Sequence, residues 1–440
     1  MYGRVINLAS VIWLYLLTAV IVFVSSFSSA SLVLFTLLFI VLNIVIKRNK
    51  LLVSFSFLIG IIFMVCVYHY WIIFYGSPYW LGAMSDDWQF DKYWTEGYIA
   101  KYGISVSGLS DHLNDLEPGL GILHNSRGYV MFIIYIRYFA ELFDGYDTLM
   151  PRMFNIWLLT LIAYYGSIIA FNENKSRRAE RLTFISIFFF PVLLMNSCLV
   201  FRDTMISFIL IFSYLMVSTK RYSYLTVLML IPLLFVLFFL RTTTFLVCLI
   251  MIALIYSNIN KINGKMILLT LVFGTVILTQ FDFFLKDTLE QYAKYQILNI
   301  KRFGTIGSAI FSLPISVGVI PRSVYLIFTP VPNFSSGHQL FFSISAVMQI
   351  LSFPYLIAAF NLKVIHLRLK LTFLLFFFGV AITSADFRHV MMYLPFGIIL
   401  ASVSYVHYQT KGGFAKRYYL LSGLLFVLFI TSVGLAIVLK

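Results

Sequence analysis

The stretch Ser85-Asp86-Asp87-Trp88-Gln89-Phe90-Asp91 sets two adjacent carboxylates among aromatic residues, about ten residues past the end of an apolar run. Carboxylates just above a membrane can accept a proton from a hydroxyl nucleophile or hold a divalent cation. A solvated acidic turn is the plainer use of the same residues. Arg202-Asp203 lies between the apolar runs Phe188 to Phe201 and Met205 to Val217. Charges so close to hydrocarbon are costly and usually pair with each other or meet a polar ligand. Arg241 repeats the arrangement before Thr242-Thr243-Thr244, with no acid near it in sequence. A guanidinium there suits a phosphate oxygen, which it binds in bidentate fashion without losing charge; snorkelling to lipid headgroups is the alternative. A third tight turn, Asp386-Phe387-Arg388-His389, packs an acid, a base and an imidazole into four residues. His389 could protonate or hold a leaving phosphate, or simply cap a helix. Arg302, Arg322 and His338 are weaker anion-binding candidates.

The elements that must position these groups are membrane helices. The chain has 440 residues, 61% hydrophobic and 11% charged, too little polar surface for a soluble globule of that size. Runs such as Leu51 to Phe74 and Leu421 to Leu439 are long enough to cross a hydrocarbon core about 30 Å thick. Strict two-residue alternation is absent, which favours helices over a barrel. The fold class expected is all-α, a polytopic membrane protein of about 13 spans. They are placed near 5–24, 30–46, 51–74, 153–171, 182–200, 204–218, 223–240, 243–257, 266–281, 340–360, 371–384, 389–407 and 418–438. The first run reads as a retained anchor, not a cleaved signal.

Charge sets the orientation. Six short loops and Arg4 hold 18 of the 32 Lys and Arg, with only Glu173 and Glu180 of the 17 acids. Such loops mark the cytoplasmic side, so the N-terminus is cytoplasmic and the chemical clusters face outward. The net charge of +15 belongs to loops beside anionic lipid and does not call for nucleic acid. Tyr129 to Phe143 carries Arg137 and Glu141 and reads as an outer juxtamembrane helix, ended by Gly145 and Pro151. The organisation expected is a three-span segment (1–75), an acidic and aromatic outer loop with its helix (76–152), a central bundle (153–281), a second outer segment (282–339) and a C-terminal bundle (340–440). Within the second outer segment, 309–330 is apolar and Pro-interrupted, with a re-entrant course left open. Cys66, Cys198 and Cys248 are scattered, and no CxxC, HExxH or Walker loop occurs.

The order of these features resembles the GT-C-type glycosyltransferases of bacteria and the related polymerases of surface polysaccharide. The residues that carry the resemblance are Ser85-Asp86-Asp87, Gly128-Tyr129, Phe143-Asp144-Gly145 and Pro151-Arg152 to Asn155. Lys175 to Arg181, Phe190-Pro191 to Arg202-Asp203, and Arg241 continue it. It covers about residues 75–260. The chain departs from the GT-C pattern in having three spans, not one, before the acidic loop. In composition it is similar to O-antigen polymerases of the Wzy type. The resemblance implies a bacterial inner membrane and an undecaprenyl diphosphate-linked oligosaccharide as donor. Asp86 or Asp87 would be the catalytic base, and arginines (Arg202, Arg241, Arg388) would hold the diphosphate. Asp203, Arg322, His338 and His389 are the supporting candidates. A chain-length regulator protein is an implied partner. No cofactor is implied, a divalent cation at Asp86-Asp87 with Asp91 being the alternative. Two other functions fit less well: transfer of one sugar from a polyprenyl phosphate, and a flippase or other transporter. Transporters place polar groups at the bilayer midplane, whereas these spans carry theirs at one edge.

Overall fold

The computed structural model of the chain describes residues 7–80, 85–103, 127–219, 224–256, 310, 315–328, 337–383, 387–411 and 415–438. Among these every regular element is helical. In chain order they are α1 (Leu8–Ser26), α2 (Ser29–Val45), α3 (Lys50–Tyr75) and a short turn of helix α4 (Asp86–Trp88). A π-helix follows (Gln89–Trp94), then α5 (Thr95–Tyr102), α6 (Arg127–Glu141), α7 (Leu149–Asn174), α8 (Arg177–Phe188) and α9 (Pro191–Ser197). The rest are α10 (Asp203–Thr219), α11 (Tyr224–Leu240), α12 (Thr242–Tyr256), α13 (Ile315–Phe328), α14 (Gly337–Phe360), α15 (Leu367–Thr383), a 3-10 helix (Phe387–Met392), α16 (Leu394–Lys411) and α17 (Ala415–Val438). The expected span at 266–281 lies outside the described residues.

Among the described residues four helices are long and apolar enough to cross a membrane: Leu8–Ser26, Lys50–Tyr75, Leu149–Asn174 and Gln339–Phe360. The bent pair α8–α9 makes a fifth if taken as one span, and several shorter apolar helices accompany them. The outward face of α1 is Ile12, Trp13, Leu16, Leu17 and Val20, all exposed. A face of that kind belongs in lipid. The described residues are therefore those of a helical membrane protein.

Two expectations change. The run at 182–200 is not one straight helix but α8 and α9, bent by 54°. Pro191 has no N–H to give to the preceding turn and holds Phe190 extended (φ −69°, ψ 120°). Pro151 does not break the chain either: α7 begins at Leu149 and takes Pro151 into its first turn, where a missing N–H costs nothing. The reversal is left to Gly145, whose φ of +110° only glycine adopts readily.

The chain forms two compact units: Met1–Tyr165 with Phe184–Ile209 and Leu228–Phe245, and Gly166–Thr183 with Leu210–Val227 and Leu246–Lys440. In the first, α1 packs on α2 and α3, and the helices approach closely. A Cβ on Gly60 of α3 would lie 2.7 Å from Phe188 Cζ and 2.9 Å from Ile156 Cγ2. Asp144, presented by the Gly145 turn, caps α2 from outside it. Its carboxylate accepts the N–H of Ala30 (2.9 Å), that of Ser29, and the Ser28 hydroxyl (2.9 Å). These bonds hold its carboxyl down at about 2. In the second unit α13 packs against α14, α15 and α17, and α14 against α16. Lys370 closes the end of α14 by donating to the carbonyls of Phe360 (2.9 Å) and Leu362 (2.8 Å). Glu173 accepts the His366 N–H (2.6 Å) ahead of α15. Lys370, from a basic loop, thus serves as a helix cap.

Candidate functional site

The acidic segment folds as helix, and its spacing becomes a face. Asp87, Asp91 and Thr95, four residues apart in turn, are each fully buried. The π-turn between them is closed by the Thr95 hydroxyl donating to the Phe90 carbonyl at 2.6 Å. The Asp87 carboxylate accepts the N–H groups of Trp80 (2.9 Å) and Trp88 (3.1 Å) and the Ser85 hydroxyl (2.5 Å). Arg152 stands 4.0 Å away. Burial pushes the Asp87 carboxyl above its usual range, with Arg152 and the three hydrogen bonds pulling against it. Asp91 is enclosed differently. The hydroxyls of Tyr79 (2.6 Å) and Tyr146 donate to it, and Arg137 lies 3.6 Å off and also donates to its backbone carbonyl. Burial and the Asp91 charge push both phenols well up, so they stay protonated as donors. Asp87 and Asp91, two of the three carboxylates of the alternative cation site, are thus each committed to other groups. Among the described residues no three of His, Cys, Asp and Glu gather as a metal site.

Arg152 and Asn155, one turn apart on α7, secure the turn between α9 and α10. Arg152 is fully buried and donates to the carbonyls of Cys198 (3.0 Å) and Pro78 (2.5 Å). Asn155 donates to Leu199 O (2.8 Å) and Phe201 O (3.1 Å). These carbonyls have no helical partner once the chain turns, so a buried cation and an amide take the place of the missing N–H groups. The same two residues therefore tie the acidic loop, through Pro78 and Asp87, to the turn that carries Arg202 and Asp203.

That turn meets a second one. Arg202 donates to Leu240 O (2.9 Å) at the end of α11, and Arg241 returns to Asp203 at 3.6 Å. Arg241, without an acid nearby in sequence, has one in space. Arg202 also lies over the Phe90 ring, 5.8 Å from its centre, and Phe90 packs edge-on to Tyr129 (5.3 Å). A Cβ on Gly128 would be 3.0 Å from Phe239 Cβ and 3.1 Å from its carbonyl carbon. Gly128 thus lets α6 touch α11. The result is one end of the first unit where the acidic loop, the α6 start, the α7 start and two inter-helix turns converge. At the opposite end the Lys47 N–H reaches the Tyr164 hydroxyl (3.1 Å), so the basic Lys47–Lys50 turn lies away from the acids.

The remaining candidates divide. Arg322, on α13, and His389, on the 3-10 helix, are buried, and Arg388 is half-buried; all three belong to the second unit. The backbones of Asp86 and His338 are helical, but their side chains lie outside the described residues, as do Arg302 and Asp386. The second unit also holds an apolar cavity of about 280 Å³ lined by Ile320, Phe353, Phe377 and Tyr393 among others. The sequence alone pointed to neither the Asp91 cage nor the Arg137 link. The spacing of Asp87, Asp91 and Thr95 was the available signal. No family model matches the chain, and no curated protein or solved structure matches it.

Proposed function

We propose that the protein is a membrane glycosyltransferase of surface-polysaccharide assembly. It moves glycan from an undecaprenyl diphosphate carrier to a sugar hydroxyl at the outer leaflet, as an O-antigen polymerase does. One observation carries the reading. Of the residues that give the chain its resemblance to GT-C-type enzymes, Asp87, Arg152, Asn155, Phe201, Asp203 and Arg241 meet at one end of one unit. They do so through Asp87–Arg152, Asn155–Phe201 and Asp203–Arg241. Arginines beside a buried acidic loop suit a reaction that needs a carboxylate base and cations for a leaving diphosphate.

In this reading Asp87 is a positioning residue, because both its oxygens are engaged by Trp80, Ser85 and Trp88. Asp86 or another carboxylate of the same end takes the proton. Arg202 and Arg241 stabilise the diphosphate; Arg388, His389, Arg322 and His338, in the second unit, are proposed separately as phosphate- or sugar-binding residues. The proposed topology has about 13 spans, a cytoplasmic N-terminus and the site facing outward in a bacterial inner membrane. A chain-length regulator is the proposed protein partner. The test is the gel profile of the host's surface polysaccharide after gene deletion and restoration with wild type or Arg202→Ala/Arg241→Ala. Collapse of a ladder to one repeat unit, restored only by wild type, is expected. A ladder intact but shifted in spacing would indicate a single-sugar transferase, and an unchanged profile would remove the glycan reading.

A further inference from the structure

The second unit holds a cavity for which the transferase reading has no use. Its volume is about 280 Å³, nearly twice the roughly 150 Å³ of an apolar cavity that stays dry and takes up benzene. Helices α13 to α16 enclose it, chiefly through Phe353, Phe360, Phe373 and Phe377. The hydroxyls in its wall are already committed to backbone. Ser323 donates to Val319 O (2.7 Å), Ser352 to Gln349 O (2.9 Å) and Tyr393 to Leu326 O (3.3 Å). Gln349 is the remaining polar residue of the wall, so the cavity offers little to a sugar or a phosphate and suits hydrocarbon. It is also open. Ile320 and Phe378 line it at mid-helix positions of α13 and α15, yet they are 67% and 40% exposed. The opening is therefore on the side of the helices, where a membrane protein meets lipid. Protein interiors hold few voids larger than a water, so a cavity of this size calls for an occupant.

Charge at one end of the cavity says which occupant. Phe360, the last residue of α14, lines the cavity, and Lys370 donates to its carbonyl at 2.9 Å. The Glu173–His366 bond (2.6 Å) brings the segment around Lys175 to the same place. Lys175, Arg178 and Arg181 with Lys363, Arg368 and Lys370 stand there against Glu173, since Arg177 offsets Glu180 at 2.8 Å. Basic clusters at the ends of membrane helices attract anionic lipid headgroups. We propose that the cavity binds one acyl chain of an anionic phospholipid whose headgroup rests on the 363–370 loop. The chain supplies contacts that the four helices do not make with one another, and the headgroup ties the α14–α15 connection to the 173–181 segment. This assignment is independent of the reaction performed by the first unit.

The test is photolabelling of the full chain in phosphatidylcholine nanodiscs. A trace of lipid with a diazirine in one acyl chain is added, as phosphatidylglycerol or as phosphatidylcholine, and labelled residues are mapped by mass spectrometry. The phosphatidylglycerol lipid should label cavity residues such as Phe353 and Phe377. Ser352→Phe, which fills the cavity, should abolish that labelling. Ile320→Trp, which obstructs the opening from an exposed position, should do the same and covers the case in which Ser352→Phe fails to fold. Lys363→Gln should weaken labelling by phosphatidylglycerol about fivefold, the effect of one basic residue at an anionic headgroup, and leave that by phosphatidylcholine unchanged. Label confined to outward side chains such as Ile344 and Leu351, or equal label from both lipids, would overturn the assignment. Loss of the cavity label on adding unlabelled polyprenyl phosphate in an amount equal to the labelled lipid would also overturn it, giving the site to an isoprenoid chain.

Discussion

Replacing Arg152 by Met should destabilise the protein by about 3–5 kcal/mol, the usual cost of removing one partner of a buried charge pair. The magnitude follows from what the side chain holds. Its guanidinium is fully buried, donates to the carbonyls of Cys198 (3.0 Å) and Pro78 (2.5 Å), and faces Asp87 at 4.0 Å. Hydrogen bonds from a charged group contribute roughly 1.5–3 kcal/mol each, and truncation also leaves the Asp87 carboxylate without its cation. Methionine fills much of the volume, which offsets part of the loss. Because Asp87 is then an uncompensated buried charge, adding Asp87→Asn to Arg152→Met should recover about 1–3 kcal/mol, although Asp87→Asn alone destabilises. The assay is a double-mutant cycle of equilibrium unfolding in mixed micelles, followed by tryptophan fluorescence. A loss below about 1 kcal/mol for Arg152→Met, or a cycle additive within about 0.5 kcal/mol, would refute the reasoning.

Other outcomes follow from the same geometry. Gly60→Ala should destabilise by about 1–3 kcal/mol through overpacking against Phe188 and Ile156, and Phe188→Leu in the same chain should relieve it; melting curves check both. Pro191→Ala removes the cause of the 54° bend, so α8 and α9 should straighten, pull Cys198 away from Arg152 and raise its maleimide labelling in a Cys66→Ser background. Labelling equal to the parent would show that Pro191 is not what bends the run at Phe189–Phe190. Asp144 has a depressed carboxyl, so its stabilisation is complete above the unfolded value of about 4 and is lost as pH falls toward about 2. Proteolysis of the α1–α2 hairpin should therefore increase across that acid window in wild type, and an Asp144→Asn protein should show no such transition.

Helix positions were largely legible because continuous apolar runs define them. The expected spans 30–46 and 51–74 fall within a residue of α2 and α3. The break at Phe189–Phe190 was not, since two phenylalanines extend an apolar run whether or not the backbone bends. The same limit applies to the site. Arg241 looks solitary because its acid, Asp203, is 38 residues away in sequence, and Asp91 meets Arg137 and Tyr146 only across 46 and 55 residues. What could be read was the helical spacing of Asp87, Asp91 and Thr95, which states that one face of the acidic loop turns inward.

The central claim is bond-making transfer at the acid and arginine end of the first unit. Its most direct test is to incorporate the protein in nanodiscs with radiolabelled undecaprenyl diphosphate-linked repeat unit, then separate lipid carrier from glycan. The account predicts release of undecaprenyl diphosphate in step with growth of a longer glycan, abolished in the Arg202→Ala/Arg241→Ala protein. A labelled donor that stays intact, or that crosses the bilayer of a proteoliposome without cleavage, would contradict it.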